Sequence, residues 1–256
     1  MQHTFYKYQG TGNDFVMIDN RQQTFDKSDT KQVTFLCDRR FGIGADGLIL
    51  IENHDDLDFT MIYYNADASM SFCGNGARCA VAFAKQLGII NNKTTFEAID
   101  GVHNATISNG IVKLHMGDVE TVEKYESHVF LNTGSPHHVQ FEDEIEEFDI
   151  KSKGAKIRYA EPYNQEGSNV NFVKMIDRQR FRVRTYERGV ENETLSCGTG
   201  VTAVALAMHA TAKTTENLIN LDVEGGKLQV SFDFENDKYS NIWLIGPATL
   251  VFKGQI

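Results

Sequence analysis

Two cysteines open nearly the same motif: Cys73 begins CGNGARCAVAFA and Cys197 begins CGTGVTAVALAM, 124 residues further on. In each, Gly-x-Gly leads into an alanine-rich stretch that reads as a helix, so each sulfur is expected where unpaired N–H groups and the helix dipole favour negative charge. A thiolate is stabilised in such a place. The same amides, with glycines allowing close backbone approach, suit a substrate carboxylate. One such motif is a weak signal, because cysteine is commonly a small buried residue. Two copies say more. If two similar halves face each other, one sulfur arrives from each side of a bound molecule. That suits taking a proton from one face of a tetrahedral carbon and returning one to the other. Aligned amides in a dry pocket would stabilise the carbanion left at an amino-acid α-carbon. No cofactor is then required, and the sequence shows neither a dinucleotide fingerprint nor a clear pyridoxal-phosphate lysine.

The elements that must position these sulfurs also recur. The same offset carries Gly10 of GTGNDFVM onto Gly134 of GSPHHVQF, and GIGADGLILI (Gly42 to Ile51) onto EGSNVNFVKM (Glu166 to Met175). The turn at Asp100 and Gly101 answers to Gly225 and Gly226. A duplicated unit explains these matches together. Most of each half alternates as strands do, as in HNATISNGIVKLHM, FRVRTY and KLQVSFDF. One helix per half is expected, over Ala77 to Leu87 and Val201 to Ala210, apolar on nearly all sides and hence buried. Gly88 suits its C-terminal cap. The simplest architecture is α+β: two pseudo-symmetric domains, each a β-barrel-like, mostly antiparallel sheet around a central helix. The boundary is expected near Gly117 to Glu120, giving domains of 1–117, joined by the C-terminal strand near 248–256, and 118–247. The acidic run EDEIEE (Glu142 to Glu147) reads as a solvated loop face.

Composition narrows the partners. A chain of 256 residues with 41% hydrophobic content can bury a sizeable core. A formal charge of −10 with no basic tract speaks against nucleic acid. The start MQHTFYKYQG lacks the features of a signal peptide, and no apolar run approaches membrane-spanning length, so a cytoplasmic protein is expected. Four irregularly spaced cysteines, Cys37, Cys73, Cys79 and Cys197, do not make a disulfide framework. Cys73 and Cys79 lie six apart and His137 and His138 are adjacent, spacings that argue against structural zinc. Cys37 and Cys79 read as packing residues.

Six motifs together closely resemble the diaminopimelate epimerase family. They are GTGNDFVMID (Gly10 to Asp19), DRRFGIGADGLI (Asp38 to Ile49), YNADASMSFCGNGARC (Tyr64 to Cys79), GSPHHV (Gly134 to Val139), GSNVNFV (Gly167 to Val173) and YERGVENETLSCGTG (Tyr186 to Gly200). The resemblance implies interconversion of LL- and meso-diaminopimelate in lysine and cell-wall precursor synthesis, without pyridoxal phosphate. It also implies a homodimer. By it, Cys73 and Cys197 are the acid and base pair, and His137 and Glu187 assist near them. Gly74, Asn75, Gly198 and Thr199 contact the reacting end of the substrate. Asn13, Asn65, Asn169, Glu187 and Arg188 hold it, Arg188 being suited to a bidentate carboxylate contact. Without the family, Asn13 and Asn65 read equally as turn asparagines, Glu187 and Arg188 as a solvated pair, and His137 as a loop histidine. The same two-thiol chemistry on proline or hydroxyproline is the alternative. Departures touch the substrate end: Gly47 where some relatives carry glutamine, Ser135 for a frequent asparagine, Ala68 for a common glycine, and one extra residue after Arg188.

Overall fold

The computed structural model describes residues 3–256. In chain order it forms β1 (Thr4–Gly10), β2 (Asn13–Asp19), α1 (Thr30–Cys37), β3 (Gly47–Glu52), β4 (Phe59–Asn65), α2 (Gly74–Gln86), β5 (Lys93–Ala98), β6 (Gly101–Ser108) and β7 (Ile111–His115). There follow β8 (Val122–Lys124), β9 (Val129–Asn132), β10 (Pro136–Phe141), α3 (Ile150–Arg158), β11 (Asn169–Asp177), β12 (Arg180–Glu187) and β13 (Asn192–Thr194). The chain ends with α4 (Gly198–Ala210), β14 (Leu218–Val223), β15 (Gly226–Glu235), β16 (Lys238–Pro247) and β17 (Thr249–Gln255). Two compact units divide it: the segment through Leu114 together with Gly246–Ile256, and His115–Ile245.

In the first unit β17 pairs antiparallel with β1, and β1 with β2; β2 and β3 are parallel, β3 and β4 antiparallel, β4 and β5 parallel, and β5–β6 and β6–β7 antiparallel. The second unit repeats the succession. There β8–β9 and β9–β10 are antiparallel, β10–β11 parallel, β11–β12 antiparallel, β12–β14 parallel, and β14–β15 and β15–β16 antiparallel. The short β13 adds to the other end of β12. Registers repeat too: Phe15 lies opposite Gly47 and Val139 opposite Asn171, both pairs one offset of 124 apart. The hairpins β5–β6 and β14–β15 turn at Gly101 and Gly226, whose φ of 126° and 143° need a residue without a Cβ.

Each unit's long helix lies inside its sheet. Helix α2 packs on β1, β2, β3, β4 and β6, and α4 on β9, β10, β11, β12, β14 and β15, so strands far apart in each order touch the same helix. The sheets must therefore curl around them. Alanine and glycine make this possible, because α4 buries Val201, Ala203, Val204, Ala205, Leu206 and Ala207 completely and presents no bulky polar face. Aromatic pairs complete the packing, among them Phe59 stacked on Phe96 with centroids 4.9 Å apart.

Both helices begin three residues earlier than Ala77 and Val201: the Gly-x-Gly segments are not lead-in loops but the first helical turns. Each cysteine is thereby the N-cap itself. Gly88, at φ 74°, follows the last turn of α2. Two further helices, α1 and α3, stand where none was expected, capped by Asp29 and Asp149, whose carboxylates accept from the backbone N–H of Gln32 and Ser152. In the acidic run, Ile145 is fully buried and Glu144 and Glu146 pair with Lys174 and Arg182, so the segment is pinned as well as solvated. Among the described residues no helix is long and apolar enough to cross a membrane.

Candidate active site

In the first unit Cys73 caps α2 with extended backbone (φ −134°, ψ 112°), and its sulfur accepts from Gly76 N at 3.5 Å. The Asn13 side chain, at the start of β2, meets it. Asn13 Oδ1 lies 3.4 Å from Cys73 Sγ and 3.3 Å from Asn75 Nδ2, while Asn13 Nδ2 donates to Asp46 Oδ2 at 2.6 Å. Asp46 is held in turn by Arg39, which also pairs bidentately with Asp14. Burial alone would raise the Asp14 carboxyl, but hydrogen bonds and charges from Arg39 and Lys7 outweigh it and draw the group down to about 2. Asn65, at the end of β4, donates to Ser69 Oγ at 3.0 Å and Ser71 Oγ at 3.2 Å. Ala68 in that turn sits at φ 66°, the left-handed conformation that suits the glycine it replaces. A Cβ at Gly47 would meet Tyr63 Cε2 and the Tyr64 carbonyl, each at 2.4 Å, so no glutamine fits there without displacing both strands.

Behind Cys73 lies Arg78, fully buried on α2. Its guanidinium reaches Gly74 O at 3.5 Å and Thr11 Oγ1 at 3.2 Å, both neutral acceptors. Burial lowers its proton affinity, and Cys79 and Cys73 offset this in part. Cys37 and Cys79 are buried among packed side chains, and burial pushes their thiols up to about 11 and about 12. Neither ionises at neutral pH.

The second unit repeats the placement with other chemistry. Cys197 caps α4 (φ −124°, ψ 113°) and its sulfur lies 3.5 Å from Thr199 Oγ1. That hydroxyl is also 2.9 Å from His137 Nε2, and Thr133 Oγ1 fixes the backbone by donating to Thr199 O at 2.9 Å. His137 and Thr199 are the repeat counterparts of Asn13 and Asn75, one offset of 124 apart. Burial, with the Arg188 charge adding to it, depresses the His137 imidazole to about 3, so the ring is neutral at pH 7. A neutral buried ring positions its neighbours more readily than it acts as a base.

The expected substrate-holding residues divide. Glu187 ends β12 and accepts from Thr194 Oγ1 at 2.9 Å. Arg188 is exposed and donates from Nη1 to Glu166 O at 2.9 Å. Asn169 is buried; its amide donates to Ser135 Oγ (2.8 Å) and Pro136 O (3.1 Å) and accepts from Arg188 N (2.9 Å). Ser135 thus takes a bond from Asn169 in the place of the frequent asparagine. The longer loop after Arg188 is anchored by Glu191, which accepts from Gly189 N, Tyr186 Oη and Arg158 Nε. Gly74, Asn75, Gly198 and Thr199 form the first turns of the two helices.

One residue escaped the sequence reading. Asn171, wholly buried in β11, donates from Nδ2 to His137 Nδ1 (3.2 Å) and to the His138 carbonyl (3.1 Å), and its Oδ1 accepts from Thr185 Oγ1 (3.0 Å). Its signal was available: it stands in GSNVNFV at the repeat position of Gly47, as an amide between apolar residues of a strand. Among the described residues no group of three or more His, Cys, Asp or Glu side chains is placed to hold a metal ion.

Against known proteins, the family model described as diaminopimelate epimerase matches residues 5–122 and 129–251. A diaminopimelate epimerase from Flavobacterium psychrophilum is 62% identical over 98% of this chain and 99% of its own length. One from Chlorobaculum tepidum is 40% identical over 96% and 98%. In fold the chain is similar to a phenazine biosynthesis protein of the PhzF family from Bacillus anthracis (TM-score 0.75, 13% identity, 100% and 99% covered). It is also similar to a probable proline racemase from Agrobacterium radiobacter K84 (TM-score 0.69, 15% identity, 99% and 92% covered). The chain is an isomerase that belongs to the diaminopimelate epimerase family.

Proposed function

We propose that this chain interconverts LL- and meso-diaminopimelate without a cofactor, in the supply of lysine and cell-wall precursors, with Cys73 and Cys197 as its acid and base. The observation that carries it is the cysteine at the N-cap of the internal helix in each unit. In the reaction one thiolate removes the α-proton and becomes a thiol, while the C–H electron pair stays on carbon. The other thiol gives a proton to the opposite face and is left as thiolate. The amides of Gly74, Asn75, Gly198 and Thr199 stabilise charge developing next to that carbon, and they need no reorganisation because each helix fixes them. Arg188, Glu187, Asn13, Asn65 and Asn169 hold or shape the place of the substrate, Asn169 chiefly through the backbone of Arg188. His137 assists as a neutral ring beside Thr199.

A panel of amino acids incubated in deuterated water tests the substrate, since only a molecule whose α-carbon is deprotonated exchanges there. LL-diaminopimelate is expected to exchange and invert. Exchange of proline or hydroxyproline in its place would support the alternative substrate. Cys73→Ala and Cys197→Ala should each reduce inversion by a factor of at least about 10³, as expected for loss of an essential proton-transfer group. Normal turnover in either variant refutes the two-thiol mechanism. A cytoplasmic homodimer belongs to the same proposal. Leu250, Val251 and Phe252, apolar and exposed on β17, supply an apolar surface for a second copy, and light scattering on the purified protein tests the dimer.

A further inference from the structure

The side chains that meet the two sulfurs differ in polarity, an amide oxygen at Cys73 and a hydroxyl at Cys197, while the Gly76 N–H also donates to Cys73 Sγ. A side-chain amide ordinarily leaves open which end is oxygen, but acceptor-only partners settle both amides here. Asn13 Nδ2 faces the Asp46 carboxylate at 2.6 Å, so Asn13 Oδ1 is the atom turned toward Cys73 Sγ, 3.4 Å away. Asn171 Nδ2 faces the His138 carbonyl at 3.1 Å, so the same nitrogen is the atom turned toward His137 Nδ1. An N–H pointing at Nδ1 leaves that nitrogen without a proton, and the neutral ring then carries its hydrogen on Nε2. Nε2–H donates to Thr199 Oγ1 at 2.9 Å, which leaves the hydroxyl's own hydrogen for Cys197 Sγ at 3.5 Å.

We propose that in the resting enzyme Cys73 holds the proton and Cys197 is the thiolate, with Asn171 the positioning residue that sends a chain of donors through His137 and Thr199 onto the Cys197 sulfur. It rests on the acid and base roles given to the two cysteines above. An oxygen acceptor held at 3.4 Å bonds an S–H and repels a thiolate, whereas a hydroxyl donor favours a thiolate, a charged acceptor being about twice as strong as a neutral one. Other groups act on Cys73. The Gly76 N–H and the buried Arg78 guanidinium favour charge there, while Cys79 stays a thiol. They keep the thiolate form of Cys73 within reach for the reverse direction, but they do not turn Asn13, which Asp46 and Arg39 lock. On the Cys197 side the Arg188 charge acts on His137 and helps keep it neutral. Starting from this state, Cys197 takes the α-proton and Cys73 delivers its own. The enzyme leaves that turnover with the two protonation states exchanged, and it recovers by losing one proton from Cys197 to water and gaining one at Cys73.

Brief alkylation with iodoacetamide across pH 6 to 9.5, read separately on the Cys73 and Cys197 peptides by mass spectrometry, tests the assignment without turnover. Each rate is compared with its own high-pH limit, which removes differences in access. At pH 7 Cys197 is expected at least tenfold nearer its limit than Cys73. Thr199→Val should move Cys197 about tenfold away from its limit and Cys73 less than twofold, with Thr199→Ser restoring the wild-type value. Coincident curves, a Cys73 nearer its limit, or an unchanged Cys197 in Thr199→Val overturn the proposal. Long-range ¹⁵N–¹H spectra of the intact protein should show His137 as the Nε2–H tautomer, and Nδ1–H would reverse the chain and end it. If Cys197→Ala still inverts substrate, the catalytic roles themselves fail. If that variant is inactive while the curves coincide, only the resting proton has been misplaced.

Discussion

Gly200 and Gly76 occupy the same place in α4 and α2, yet their surroundings differ. A Cβ at Gly200 would lie 2.7 Å from Asn171 Oδ1 and 3.2 Å from Cys197 Sγ, whereas one at Gly76 would first meet the flexible tip of Ile49, at 3.1 Å. Gly200→Ala should therefore push both Asn171 and the sulfur, costing about 1–3 kcal/mol of stability and at least tenfold in inversion rate. At Gly76→Ala, the gain in helix propensity of about 1 kcal/mol should offset most of the crowding. Urea denaturation and a stopped inversion assay on both variants check the contrast. The cysteines and the glycines after them were legible because the motif occurs twice. Asn171 was not, because alternation treats a strand residue only as inward or outward and says nothing of an amide with three partners. His137 was legible as a candidate, but its neutrality was not, since that follows from complete burial.

The internal helices announced themselves by composition, alanine runs apolar on every side having no stable place except inside. Their first turns did not, because Gly-Asn-Gly and Gly-Thr-Gly carry poor helix formers and read as loop. α1 and α3 were missed for a different reason. TKQVTFLC buries only Val33, Leu36 and Cys37, and IKSKGAKIR only Ile150, Gly154 and Arg158, too few apolar positions to establish a period. Their docking is nonetheless tight. A Cβ on Gly154 would fall 2.3 Å from Tyr186 Cβ, so Gly154→Ala should lift α3 from β12 and cost about 2 kcal/mol through overpacking. Hydrogen exchange should then quicken in α3 and at the outer edge of β12, while α4 keeps its protection. Equal exchange in wild type and variant would show that α3 contributes little to holding Tyr186.

The molecule as a whole should be sensitive to acid, in a window set by the second unit's histidines. Burial depresses His137 to about 3 and His138 to about 4, both below the ordinary 6.5. The unfolded chain therefore binds protons that the folded chain refuses. Stability from this source is complete above pH 6.5 and falls as pH drops toward 4, by up to about 1.4 kcal/mol per pH unit for each histidine. Asp14, depressed to about 2 in the first unit, adds a further loss only below pH 4. His138→Gln should flatten the decline between pH 6.5 and 4.5 relative to wild type, as measured by denaturant midpoints, and an unchanged slope would exclude His138 as a source. The duplicated architecture was visible in the sequence because whole strands and turns recur at one offset; the pairing of β17 with β1 was harder to see, since Thr249–Gln255 is mostly exposed and joins residues at opposite ends of the chain. That pairing gives synthesis an order. A ribosome delivers every residue of His115–Ile245 before it delivers Thr249–Gln255, so the unit that starts first is completed last, and β1 waits through translation for its final neighbour.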